Sequence, residues 1–156
     1  MTDAPKPKKM TLIVTKGSLD GAYPPFILAT TAASLGNQVS MFFTFYGLAL
    51  LKKDVSNLQI SPLGNPAMAM PVMGAHMVMP NLASMLPGVD AMCSAMMKNQ
   101  IRKKGVASIG ELREAATDLG VRFIGCQMTL DLFEMKREEL IDGIEDRGGR
   151  FGLMKL

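Results

Sequence analysis

Residues 121–131 read V-R-F-I-G-C-Q-M-T-L-D. The run VRFIG, residues 121–125, is short and mostly apolar, so it predicts a strand with Cys126 at its carboxyl end. A helix is expected to start near Thr129 or Asp131 and to continue through LFEMKREELIDGI, with Leu130, Phe133, Leu140 and Ile144 on a shared apolar face. Upstream, residues 108–119 (SIGELREAATDL) predict another helix. Ser108 and Glu111 have the spacing of a capping box, Leu112, Ala115, Ala116 and Leu119 form a stripe, and Gly120 closes it. A strand bracketed by helices is the repeating unit of an α/β sheet.

The amino-terminal half repeats that grammar. Residues 10–15 (MTLIVT) predict a central strand, and residues 16–21 (KGSLDG) a strand-to-helix turn. Residues 22–35 predict a helix starting near the Pro24-Pro25 pair and closed by Gly36-Asn37. The nearly unbroken apolar run at residues 38–45 (QVSMFFTF) suits a parallel strand buried on both faces. A short helix is expected over 46–53, a polar turn over 54–57, a strand including 58–60 that Pro62 must stop, and a last strand over 150–154. Together these segments predict one α/β domain over residues 10–156, built on a parallel sheet of four or five strands flanked by helices. Residues 1–9 read as a disordered leader, since two prolines and three lysines leave nothing to bury.

Residues 64–88 break the pattern, with four prolines and methionines at 68, 70, 73, 77, 79 and 85 around the single histidine, His76. A long loop or loosely formed helical segment is expected there, serving as an adaptable contact surface or plugging an irregular core. Residues 89–102 predict a helix with Met92, Met96 and Gln100 in register and Cys93 one residue off that stripe.

Composition narrows the function classes. Of 156 residues, 48% are hydrophobic and only 20% charged, a surplus of apolar side chain that predicts a homo-oligomer. The net charge of +3 comes largely from the first nine residues, and the one compact basic run is Lys98 to Lys104, so a broad nucleic-acid face is not expected. The longest apolar run, residues 41–51, is about half the length that crosses a bilayer as a helix, and no secretory signal is legible. A cytoplasmic address follows, where two cysteines are expected to be free rather than a permanent staple.

The chemistry then falls on sulfur. Two cysteines and one histidine are too few for a closed zinc site, so no metal is expected. The turn at residues 17–21 lacks both G-x-G-x-x-G and the lysine-bearing phosphate loop, so no nucleotide cofactor is expected either. No serine sits in G-x-S-x-G, and neither cysteine in P-x-x-x-T-x-x-C, which disfavours a hydrolase and a peroxidase. In open α/β sheets reactive groups gather beyond the carboxyl ends of strands, where Cys126 is expected, and a helix starting just after it favours the thiolate. The alternative is a buried, inert thiol. Cys93, 33 residues earlier, forms no C-x-x-C pair with Cys126, although the two can still meet in space. Arg122 or Lys98 could add a cation only if the fold brings one round. A non-catalytic binding module using the methionine-rich surface stays open as the rival reading.

Read in order, K-G-S-L-D, V-S-M-F-F-T-F, P-N-L-A-S-M-L-P-G, S-I-G-E-L-R-E-A-A-T-D-L-G and V-R-F-I-G-C-Q-M-T-L-D-L-F resemble the DsrE/DsrF-like sulfurtransferase family. The likeness covers residues 10 to 154 and is closest to a branch often labelled "peroxiredoxin family protein", some members of which are associated with sulfur oxidation. It implies a flavodoxin-like sheet, a homo-oligomer, and a persulfide carried on Cys126. It further implies Cys93 as a second sulfur stop or resolving thiol, with Thr129 and Asp131 in supporting positions. The implied partners are a TusA-like sulfur carrier, a rhodanese and a heterodisulfide-reductase-like system. Glu134 stands where a glycine commonly follows the motif, and the tail GGRFGLMKL is more basic than the usual last strand.

Overall fold

The computed structural model describes residues 7–60, 69–72, 75–78 and 88–146. Strand β1 (Lys9–Val14) leads into helix α1 (Leu19–Ser34), and β2 (Gln38–Phe43) into a 3-10 segment, Phe45–Leu51. Next come the short strands β3 (Ala69–Val72) and β4 (Ala75–Val78), then α2 (Val89–Lys103) and α3 (Ile109–Asp118). The chain then forms β5 (Arg122–Gly125), α4 (Gln127–Leu132), a 3-10 turn at Arg137–Glu139 and β6 (Glu145–Asp146).

The main sheet is parallel in the order β1-β2-β5-β6. Its body is three strands, since β6 is only a two-residue pairing at the far edge. The α/β class with a helix-flanked parallel sheet stands, but the flavodoxin-like sheet of four or five strands is corrected to this smaller one. Two physical reasons are visible. Residues 58–60 form no strand because their backbone bonds elsewhere: the Gln59 carbonyl accepts from Leu19 N–H at 2.8 Å, and Ile60 N–H donates to Ser94 Oγ at 2.9 Å. Among the described residues β1 also pairs only with β2, so it is an edge strand, whereas a flavodoxin order places the first strand inside. The expected strand over 150–154 and residues 1–6 of the expected leader over 1–9 lie outside the described residues, while Lys9, the last residue of that leader, already opens β1.

Alternation along the strands positions the core. Val14, Val39, Met41, Phe43 and Phe123 join one buried cluster beneath α1 and α3, while Phe42 and Ile124 are buried on the opposite face. At the cluster's centre Phe26 of α1 meets Phe43 and Phe123 at centroid distances of 6.2 and 6.1 Å, and the two strand rings lie 5.9 Å apart. Each such ring contact is worth about 0.5–1.5 kcal/mol beyond area burial. This clamp fixes β2 and β5 side by side, in the register Phe43↔Gly125.

Several boundaries differ from expectation for tertiary reasons. Helix α1 starts three residues before position 22 and carries Pro24 and Pro25 inside it, because Leu19 is buried and its amide is tied to Gln59. The capping box forms as read: Glu111 N–H donates to Ser108 Oγ and Ser108 N–H to Glu111 Oε2. The face that α3 buries is Ile109, Leu112 and Ala116, however, and Leu119 is exposed. In α2 the methionine stripe faces out, with Met92 and Met96 exposed, and Cys93 and Ser94 face in. The described parts of 64–88 form an antiparallel ribbon, with Met70↔Met77 and Pro71↔His76 in register, rather than a loop or helix. The rest of that segment lies outside the described residues. Among the described residues no helix is long and apolar enough to cross a membrane.

Helix α4 departs most. It ends at Leu132 instead of continuing to 144, because Glu134 takes a left-handed φ of 49° and turns the chain away. Leu140 then bridges back to Lys52, and Ile141 N–H donates to the Leu51 carbonyl at 2.9 Å. Leu130, Leu140 and Ile144 are buried as expected, while Phe133 is left exposed.

Candidate functional site

The carboxyl ends of β2 and β5 meet at Cys126. Its N–H donates to the Phe43 carbonyl at 2.9 Å, and its carbonyl accepts from the amides of Thr129 and Leu130, both at 3.0 Å. The cysteine is thus the N-cap residue of α4, held in extended backbone by the neighbouring strand on one side and the helix on the other. Its thiol is free and partly buried, whereas Cys93 is free and only 1% exposed. Cys93 lies in α2 beside Ser94, whose hydroxyl holds Ile60 N–H.

Around the Cys126 sulfur two opposing effects act. Burial pushes the thiol up, but hydrogen bonds outweigh it and leave the group below its ordinary value. The donors are the Thr129 hydroxyl and amide, the Thr44 hydroxyl and the Met128 amide, all of which favour the charged form. The Cys126 sulfur makes no side-chain capping hydrogen bond to the helix, so these groups act on it as nearby donors. Thr129 is fully buried, and its Oγ1 lies 3.1 Å from Thr44 Oγ1 and accepts from Phe45 N–H at 3.4 Å. A fully buried hydroxyl needs partners, and these two groups supply them.

The other residues named from sequence sit elsewhere. Asp131 is exposed and takes a 2.7 Å hydrogen bond from Gln127 Nε2, and it is not among the groups acting on the thiol. Arg122 is held by both carboxylate oxygens of Glu145, at 2.8 and 2.5 Å, and Lys98 Nζ donates to the Ser56 carbonyl at 2.6 Å. Neither cation is brought to the sulfur; neutral donors lower its pKa. A separate cleft, lined by Tyr23, Lys53, Lys98 and Arg102, does not include Cys126.

Sequence reasoning missed Thr44 and Phe45. Thr44 follows the strand beside β5, so the rule that placed Cys126 at a strand's carboxyl end could have placed it too. Nothing in the sequence marks Phe45, an aromatic residue with a left-handed φ of 48° and a half-exposed side chain. The segments carrying Thr44 and Cys126 also expose Tyr46, Met128, Leu132 and Phe133, with Tyr46 stacked on Phe133 at 5.8 Å.

Comparison with known proteins supplies a second line of support. Residues 6–153 match the family model described as DsrE/DsrF/DrsH-like. The chain is 58% identical over 141 residues to the sulfur carrier protein DsrE2 of Allochromatium vinosum, a match covering 90% of this chain and 87% of that protein. It is 31% identical over 152 residues to the uncharacterized protein YrkE of Bacillus subtilis, covering 90% and 86% of the two chains. Since the match takes in both β1 and the β5–Cys126–α4 unit, the chain belongs to the DsrE/DsrF/DrsH-like family.

Proposed function

We propose that this protein is a sulfur carrier of the DsrE2 kind, in which Cys126 takes a sulfane sulfur from a donor and surrenders it to an acceptor thiol. The observation that carries the reading is the partly exposed Cys126 thiol, set at the meeting of two strand ends among donors that favour its thiolate. A thiolate is the nucleophile such exchange requires. With thiosulfate as donor, the Cys126 thiolate bonds to the sulfane sulfur. The bond between that sulfur and the sulfonate breaks, and its electron pair leaves with sulfite. The persulfide then meets an acceptor thiolate, which bonds to the outer sulfur and releases Cys126 as thiolate. No net oxidant is needed, because one sulfur–sulfur bond replaces another.

The sulfurtransferase step itself, with Cys93 as second stop or resolving thiol and Thr129 as supporting donor, is part of this proposal; Asp131 drops to a helix-surface role. Cys93's burial supports Cys126 as the first to react. The exposed apolar side chains near the sulfur support delivery to proteins rather than to small molecules alone. A TusA-like carrier, a rhodanese and a heterodisulfide-reductase-like system are the partners of choice, in the cytoplasm. Exposed Leu35, Met92 and Met96 support a homo-oligomer, which a sedimentation mass of one chain at micromolar concentration would refute.

Intact-protein mass spectrometry after brief exposure to tetrathionate or polysulfide tests the central claim. The expected result is sulfur or thiosulfonate addition to the wild type and to Cys93→Ser, and none to Cys126→Ser. Addition that persists in Cys126→Ser and disappears in Cys93→Ser would reverse the order of attack.

A further inference from the structure

We propose that Thr44 and Phe45 are positioning residues that hold the Thr129 hydroxyl in place, so that the paired threonines present one hydroxyl proton to the Cys126 sulfur. The inference deepens the sulfur-carrier reading and rests on it for its biological meaning. Each hydroxyl offers one proton and accepts through two lone pairs. Thr44 and Thr129 lie 3.1 Å apart at their oxygens, so one of the two protons is spent between them. Thr129 Oγ1 already accepts from Phe45 N–H at 3.4 Å, which occupies a further lone pair. With Thr44 donating and Phe45 N–H on the other lone pair, the Thr129 hydroxyl keeps its own proton to give, and Cys126, the N-cap residue three positions before it, is the group it acts on. Without Thr44 the Thr129 hydroxyl loses the partner that fixes its direction, so the two side chains act on the sulfur as a unit.

Backbone geometry holds the unit together. Thr44 N–H is tied to the Val14 carbonyl at 3.0 Å, its carbonyl accepts from Gly47 N–H at 3.0 Å, and Cys126 N–H is tied to Phe43. Between these anchors Phe45 adopts φ 48°, a conformation that bulky residues rarely take and that tends to occur at functional positions. Phe45 is 48% exposed, so deep burial does not account for the strain. The turn aims the Phe45 amide at Thr129 across a sequence separation of 84 residues.

The test is the pH dependence of Cys126 alkylation by iodoacetamide in a Cys93→Ser background, together with ultraviolet thiolate absorbance. Thr129→Val and Thr44→Val are each expected to raise the midpoint and to slow alkylation about tenfold below it. The double variant is expected to do little more than either single one, and Thr129→Ser to restore the wild-type midpoint. Phe45→Gly, which tolerates the left-handed turn, is expected to keep the midpoint, and Phe45→Val to raise it. Thr44→Val carries the test if circular dichroism shows Thr129→Val unfolded, since Thr44 is only partly buried. Midpoints unchanged in both valine variants, or effects that add fully, overturn the shared-proton unit. A Phe45→Gly midpoint moved as far as that of Phe45→Val overturns the backbone role. Alkylation uses no sulfane sulfur, so midpoints that shift as expected in a protein that never takes up sulfur would refute the carrier reading and leave this inference standing.

Discussion

Replacing Glu134 by glycine should stabilise the fold. All four α-helices of the described residues end in the same motif, in which the second residue past the cap donates to a carbonyl five positions back while the first takes a left-handed turn. For α1, α2 and α3 the pairs are Asn37 to Ala32, Val106 to Ile101 and Val121 to Ala116, and the left-handed residues are Gly36, Gly105 and Gly120. For α4 the pair is Met135 to Leu130 at 3.0 Å, with Glu134 N–H to Asp131 at 3.3 Å, and the left-handed residue is Glu134. An L-residue in that region bears roughly 1–2 kcal/mol of steric cost, and glycine gives back roughly 0.5–1 kcal/mol in lost chain entropy. Glu134→Gly therefore gains about 0.5–1 kcal/mol, which for a chain of this size raises Tm by about 1–4 °C. Urea unfolding and calorimetry measure it. The mirror change, Gly120→Ala, meets open space at φ 75° and should cost about 1 kcal/mol. A Glu134→Gly protein no more stable than the wild type, beside a destabilised Gly120→Ala, would refute the cost assigned to the α4 cap.

Two further perturbations test the site's surroundings. Because the folded Cys126 thiol lies below its unfolded value, its contribution to stability is fully present above an unfolded pKa of about 8.5 and is lost as pH falls through the folded one. The unfolding free energy of wild type relative to Cys126→Ser should thus rise with pH across that window and flatten above it, and a falling difference in denaturant titrations would contradict the hydrogen-bond account. A Cβ on Gly47 would run into the Val14 carbonyl and one on Gly17 into the Tyr46 carbonyl, so alanine at either position should cost about 2–3 kcal/mol in urea unfolding. Unchanged midpoints would show that these two loops are not in close contact at the strand ends.

What was legible in the sequence followed from local rules. The strands at residues 10, 38 and 121 were readable from apolar β-forming runs, and the α3 start from Ser108 and Glu111, because those signals are complete within a few residues. What was not legible depended on partners far away. Residues 58–60 look like a strand and become a tether because Ser94 and Leu19 claim their backbone groups. Residues 133–144 carry a helical pattern of apolar positions. Leu140 and Ile144 reach the core by another route, after a left-handed turn at Glu134 and a bridge to Lys52. Burial of the same side chains is therefore compatible with two backbone paths, and periodicity alone does not choose between them.

The candidate site divides along the same line. Cys126 and Thr129 are three residues apart, and a strand running into a helix suffices to place both near the same mouth. Thr44 and Phe45 follow the neighbouring strand, and the register Phe43↔Gly125, supported by the Phe26, Phe43 and Phe123 rings, brings them to Thr129. The thiol's acidity is thus coupled to core packing on the far side of two strand ends. Truncating Phe123 should loosen that register and so weaken the threonine pair as well as the fold. A cation at the sulfur would have tied its pKa to salt concentration, since exposed charges are screened. Neutral hydroxyl and amide donors do not carry that dependence. They leave the reactivity of Cys126 governed by the geometry of the segments that carry Thr44 and Thr129.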